Sequence, residues 1–304
     1  MINVDKLARE FADTVSGQTP DLARAALLIA RLEHPHLNPT PSLECLDRMG
    51  CEARKQRADG DGKTQQAQFE ILSRYLFRER GFTGNPADNE DPRNSCLNQV
   101  LDRRTGIPVT LGIVFLEVAK RAGVRAAGVN FPGHFLVRLQ AESTEWKQMP
   151  LVIDPSNSGR IMAEGDCREL LHQHLGDDAE FDLRLLKPAS DKQTIVRVLE
   201  NLKRMYVRLR SFPQARDVTE LLLAIKPSGA VDLRDRGLLA YHLRDFSGAL
   251  RDLEAYLHIT GRTRNGDVPV DRQTEHEQIW EHIKMSVSYT HLRAHETSLH
   301  LVCR

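Results

Sequence analysis

His134 and Asp154 are the pair in this chain best suited to acid–base chemistry. Each lies in a short β-like run: His134 opens the run to Leu139, and Asp154 closes the run that begins at Leu151. The stretch between them is of hairpin length, so adjacent strands can bring the two side chains together. A histidine held by a carboxylate keeps one tautomer and can take a proton from a nucleophile. That pairing requires a contact of about 2.6–3.2 Å and side chains on one face of the sheet. The bland reading of His134 is a strand-edge histidine with a satisfied hydrogen bond.

The elements that must position this pair are legible on either side of it. Leu97, Val100 and Leu101 have helical spacing, and Asp102-Arg103-Arg104 is a polar exit. Gly106 and Pro108 punctuate the chain before a second apolar helix over Val109–Ala122. Proline suits its first turn, where a missing N–H costs nothing, and Gly123 stops it. Two β-like runs follow, Ala126 to Asn130 and His134 to Leu139, joined by the turn Phe131-Pro132-Gly133. Ser143 to Pro150 is a polar connection, and Ser156 to Gly159 is a turn at the mouth of any site.

A helix, a Gly-His strand and a strand ending in Asp-Pro resemble the core of the transglutaminase-like superfamily. The likeness is carried by Asp91-Pro92-Arg93-Asn94-Ser95, Gly106-Ile107-Pro108, Asn130-Phe131-Pro132-Gly133-His134-Phe135 and Ile153-Asp154-Pro155. The chain is most similar to the SirB-type branch, in which such a domain precedes tetratricopeptide repeats. The resemblance implies a papain-like Cys-His-Asp arrangement, with the nucleophile at the start of the buried helix, where a helix N-terminus lowers a thiol's pKa. In this sequence that slot falls within Pro108 to Thr110. It holds no cysteine, and Thr110 is its expected occupant. A threonine hydroxyl lacks a thiol's acidity, so the resemblance implies a His-Asp pair without a complete triad. Cys96 precedes His134 and Asp154 in the order the triad needs, but it lies one helix early. It adjoins Leu97 and Val100, where a cysteine packs as a small hydrophobe.

The remaining sequence sets the organisation. Forty-two basic and forty-two acidic residues cancel, so no global field draws nucleic acid or an anionic membrane. Five scattered cysteines fit a reducing cytoplasm, the N-terminal stretch is too acidic for a secretory signal, and no run is long and apolar enough to span a bilayer. Residues 4–80 read as helices, one capped by Asp21, one over Pro41–Gln56 and one over Gln65–Arg80. Asp59, Asp61 and Glu70 mimic calcium-loop positions, but Lys63 and Thr64 occupy the fifth and sixth, so this is an interhelical loop. Cys167, His172 and His174 read as an amphipathic helix rather than a zinc site, and no metal or cofactor is expected.

Pro188 to Asp191 is the expected boundary between a first domain, 1–188, and a repeat domain, 191–285. Beyond it Leu209/Leu243, Arg210/Arg244, Phe212/Phe246, Ala215/Ala249, Glu220/Glu254 and Leu223/Leu257 recur with a period of 34, that of tetratricopeptide helix pairs. So few repeats are expected to dock on the first domain. Residues 286–304 do not continue the period and read as a non-native translated tail. The expected class is α+β: an α-rich N-terminal region, a small antiparallel sheet, then helical hairpins. The expected function is regulatory binding of a protein partner through the repeats. The alternative is an acyl-transfer or amide-hydrolysing enzyme using His134 and Asp154 with Cys96 or Thr110.

Overall fold

The computed structural model describes residues 3–17, 20–59, 64–85, 90–140, 149–260, 277 and 279–285. Asp61 and Lys63 of the calcium-like loop, most of the Ser143–Pro150 connection and the tail from 286 lie outside them. The chain divides into two compact units, one from Asp13 to Leu202 and one joining Asn3–Ala12 to the residues from Lys203 onward.

In chain order the helices and strands are α1 (Val4–Val15), α2 (Leu22–Ala30), α3 (Thr40–Asp59), α4 (Gln65–Ser73), β1 (Thr83–Gly84), α5 (Leu97–Arg103), β2 (Thr105–Gly106) and α6 (Pro108–Ala122). They continue as β3 (Ala126–Val129), β4 (Leu136–Leu139), β5 (Val152–Asp154), β6 (Arg160–Ile161), α7 (Glu164–Leu175), α8 (Asp191–Arg208), α9 (Phe212–Ile225), α10 (Ala230–His242) and α11 (Phe246–Ile259). The fold is α+β. The division between units falls inside α8 rather than at its start, and the first turns of α1 belong with the repeats rather than with the first domain. An amphipathic helix needs a cover for its stripe, and Leu7 and Phe11 on α1 are buried.

In the first unit the centre is α6. Val109, Leu111, Ile113, Val114, Phe115 and Val118 are all buried, which is apolar on every side and marks a core helix. Pro108 stands in its first turn and Gly123 closes it at φ 78°. Asp21 caps α2 by accepting the Arg24 N–H at 2.9 Å. The helix expected over Gln65–Arg80 is instead α4 followed by a π-helical turn, Arg74–Glu79. Gly81 follows at φ 73°.

The main sheet is antiparallel in the order β3-β4-β5-β6, with Val129 opposite Leu136 and Val137 opposite Ile153. A two-residue parallel pair, β1 with β2, was not expected from the sequence. Alternation sorts the sheet's faces. Val137 lies near Gly112 on α6, while Leu136 and Val152 join Cys167 and Leu171 of α7 in one cluster.

In the second unit the 34-residue period becomes a structural period. Phe212 and Phe246 open α9 and α11, and Arg210 and Arg244 before them share a left-handed conformation at φ 56° and 61°. Ala215 and Ala249 are fully buried. A Cβ on Gly237 of α10 would lie 2.8 Å from Leu253, so the α10–α11 packing needs a residue without one.

Candidate functional site

His134 is fixed from both sides by its neighbours. Phe131 and Phe135 are buried, and the His134 N–H donates to the Phe131 carbonyl at 3.0 Å. A Cβ on Gly112 of α6 or Gly128 of β3 would lie 2.4 or 2.5 Å from the Phe135 ring. Phe135 therefore docks where two glycines leave room. His134 lies in the turn ahead of β4 rather than on the strand itself, because Gly133 takes φ 70° just before it.

Asp154 ends β5, and its carbonyl accepts the Asn157 and Gly159 N–H groups of the following turn. Extending the β4–β5 register by one residue sets Asp154 opposite Leu136, two residues past His134. The result is a contact of 3.0 Å between His134 Nε2 and Asp154 Oδ1. Ser156 donates to the same carboxylate twice, from its N–H at 2.9 Å and its hydroxyl at 2.7 Å. Burial alone would raise the Asp154 carboxyl, but the bonds from His134 and Ser156 outweigh it and hold the pKa below the ordinary carboxylate value. With Nε2–H donated to Asp154, Nδ1 is the nitrogen left to accept a nucleophile's proton.

Two further side chains stand beside this pair. The His174 ring of α7 stacks on His134 at 6.1 Å between centroids. A Cβ on Gly133 would fall 2.2 Å from His174 Cγ, so the glycine makes room for that ring. Burial, then repulsion from His134 and Arg197, pushes the His174 pKa down. Arg197 of α8 donates to the His134 carbonyl at 3.3 Å. The sequence reading left His174 on a plain amphipathic helix and did not single out Arg197. Cys167 on the same helix is fully buried while His174, seven residues on, is exposed, so the spacing gave no sign of the turn that His174 meets. Among the described residues no group of three His, Cys, Asp or Glu side chains could hold a metal.

Thr110 and Cys96 are placed differently. Thr110 is fully buried in the first turn of α6, and its hydroxyl points to the Asn94 carbonyl at 2.6 Å and the Ile107 carbonyl at 3.0 Å. The Asn94 carbonyl also accepts the Ile107 N–H at 3.1 Å. Asp91 caps the short 3-10 turn Pro92–Ser95 that presents Asn94, so the Asp91–Ser95 and Gly106–Pro108 strings meet at this carbonyl. Cys96 follows that turn with 1% exposure. Burial, then the charges of Glu33 and Asp91, pushes its thiol up to about 12. The structure thus brings His134 and Asp154 together, while the hydroxyl of Thr110 is committed to backbone carbonyls and the thiol of Cys96 is buried.

A sequence model described as transglutaminase-like superfamily matches residues 40–200, more than half the chain. The chain belongs to the transglutaminase-like superfamily. A tetratricopeptide-repeat model matches residues 202–277 of this superfamily member, adjoining the division inside α8. A UPF0162 protein of Xylella fastidiosa is 37% identical over 258 residues, covering 84% of this chain and 89% of its own length. A UPF0162 protein of Pseudomonas aeruginosa is 32% identical over 81% of this chain and 87% of its own. Protein SirB1 of Salmonella typhimurium is 29% identical over 64% of this chain and 70% of its own. No solved structure matches this superfamily member. Among its described residues no helix is long and apolar enough to cross a membrane.

Proposed function

We propose that this transglutaminase-like protein has no transglutaminase or amidase turnover and acts as a regulatory module that binds a protein partner through its repeats. The observation that carries this reading is Thr110. The side chain expected in the nucleophile's slot is fully buried and spends its single hydrogen on backbone carbonyls, at 2.6 and 3.0 Å. Cys96 offers no substitute, since a buried thiol with a pKa of about 12 carries almost no thiolate near neutral pH. Helix-pair repeats serve generally as protein-binding surfaces. Here they present exposed apolar side chains, Leu209 and Val231 among them.

The alternative, an acyl-transfer or amide-hydrolysing enzyme, draws its support from the 3.0 Å His134–Asp154 contact. Two measurements on the full chain separate the readings. A glutamine-containing peptide should release no ammonia. A protein retained by the immobilised chain should be lost when Leu209→Asp and Val231→Asp are introduced together. Ammonia release that vanishes in His134→Ala would establish the enzyme instead. So would labelling of Cys96 by a thiol-directed probe that vanishes in the same variant.

A further inference from the structure

Away from the His134–Asp154 pair, a cavity of about 710 Å³ opens beside the sheet's edge strand. It is lined by Gln56 of α3, by Ala67, Glu70 and Ile71 of α4, by Arg74 and Arg78 of the π-helical turn, and by the chain from Asn157 to Ile161. Ile153 also reaches it. By alternation along β5, Ile153 lies on the opposite side of the strand from Asp154, so this is not the His–Asp site.

Three features of the cavity converge on one kind of ligand. The first is charge: Arg74, Arg78 and Arg160 face a single lining carboxylate, Glu70. Arg160 pairs with Asp166 at 2.7 Å and Arg74 with Glu79 at 3.8 Å, both exposed pairs of the kind that exchange readily. Arg78 is exposed and makes no ion pair among the described residues. The second is backbone. β6 is the last strand of the sheet, and Met162 donates inward to the Val152 carbonyl. Ladder alternation therefore turns the Ile161 N–H and C=O to the free edge, with the side chain 50% exposed. The third is an orphaned acceptor. Gln56 commits its amide nitrogen to Glu79 at 2.7 Å, which fixes the orientation of the group, and its Oε1 is buried without a partner. Such an atom awaits an N–H donor.

We infer that this cavity binds an extended acidic segment of another protein, laid along β6 with a carboxylate on Arg78 and a backbone N–H on Gln56 Oε1. Edge pairing supplies main-chain bonds, and the arginines select the side chains. The inference does not depend on the repeats.

The test uses the full chain and a short fluorescein-labelled peptide alternating glutamate and valine, followed by anisotropy. Binding should weaken about tenfold in Arg78→Glu, the loss expected for one charge-assisted contact. It should also fall with added salt, and be unchanged by Leu209→Asp with Val231→Asp. Arg78→Gln, with circular dichroism, guards against a folding defect. Gln56→Leu should weaken the unmodified peptide but not one N-methylated along its backbone. Equal binding by wild type and both Arg78 variants would overturn the inference. So would preference for a lysine–valine peptide, or equal competition by a single-stranded oligonucleotide, which would mark an unselective anion patch.

Discussion

Asp154 in the first unit and Asp252 in the repeats are both buried carboxylates, and the chain surrounds them in contrasting ways. Asp252 is 2% exposed and receives a two-pronged contact from Arg236, 2.6 Å to one oxygen and 2.9 Å to the other. Arg236 also reaches Glu220 at 2.7 Å, so one guanidinium on α10 ties α9 to α11. Lys203 bridges Asp232 and Asp235 in similar fashion, at 2.9 and 2.6 Å. With Arg234 on Asp235 at 2.8 Å and Arg251 on Asp252 at 3.4 Å, four cations meet four carboxylates and hold the helices. Among the described residues Asp154 has only a ring and a serine as partners, and the ring keeps a second nitrogen uncommitted. Closed charge networks build scaffold here, while the open one leaves a ring nitrogen without a partner among the described residues.

Breaking the closed network should have the largest effect. Arg236→Met leaves the buried Asp252 with only the longer contact from the exposed Arg251, at 3.4 Å, a change that should cost toward the lower end of about 3–5 kcal/mol. Urea unfolding of the full chain should show the loss. Adding Asp252→Leu should recover most of it, because removing both charges ends the desolvation penalty. A single variant within about 0.5 kcal/mol of wild type would refute the scaffold role.

Much of this scaffold was legible in the sequence for physical reasons. Helix periodicity, the Pro108 start and the Gly123 stop located α6, and the recurrence of Phe212 as Phe246 located the repeat helices. Those signals are local, or repeat at a fixed spacing. The Asp154–His134 contact could be anticipated because a hairpin-length excursion constrains where strands return. His174 and Arg197 could not be, because α7 and α8 reach the turn through packing that no periodicity encodes. The π-helical turn at Arg74–Glu79 was missed for a related reason. Its apolar residues keep near-helical spacing, and the widened turn adds no residue type that announces it. The two-residue pair of β1 with β2 is too short to leave any alternation.

The next effect concerns the open site. Gly133→Ala places a Cβ at φ 70° and against the His174 ring. The backbone alone should cost about 1–2 kcal/mol, with displacement of His174 in addition. Combining it with His174→Ala should relieve the clash and leave only the backbone cost. A full recovery of wild-type stability would show that the left-handed conformation is not required.

A pH series should then separate the two regions. The Asp154 pKa is lowered by folding, so its contribution is complete above the ordinary value of 3.8 and is lost as pH falls through the lower folded value. Lys203 behaves oppositely. Burial lowers its pKa, but bonds to Asp232 and Asp235 outweigh that and raise it. Its contribution is therefore complete below 10.5 and lost as pH rises through the folded value. Asp154→Asn should flatten the acid limb alone, and Lys203→Met the alkaline limb alone. Acid sensitivity unaltered in Asp154→Asn would remove the carboxylate from the account.

The smallest effect is expected where the fold most resembles a catalytic slot. Thr110→Val keeps the shape of a fully buried side chain and removes only its hydroxyl. Both carbonyls that the hydroxyl meets keep another partner: Asn94 still accepts from the Ile107 N–H at 3.1 Å, and Ile107 from the Leu111 N–H at 3.1 Å. No buried acceptor is orphaned, so the cost should stay near about 0.5–1.5 kcal/mol, that of one ordinary hydrogen bond. Ammonia release from a glutamine peptide should be as absent in the variant as in wild type. The hydroxyl already donates to carbonyls and cannot give its proton to His134 without leaving them. A wild-type turnover abolished by Thr110→Val, with stability intact, would make this residue a nucleophile and establish the enzyme reading over the binding one.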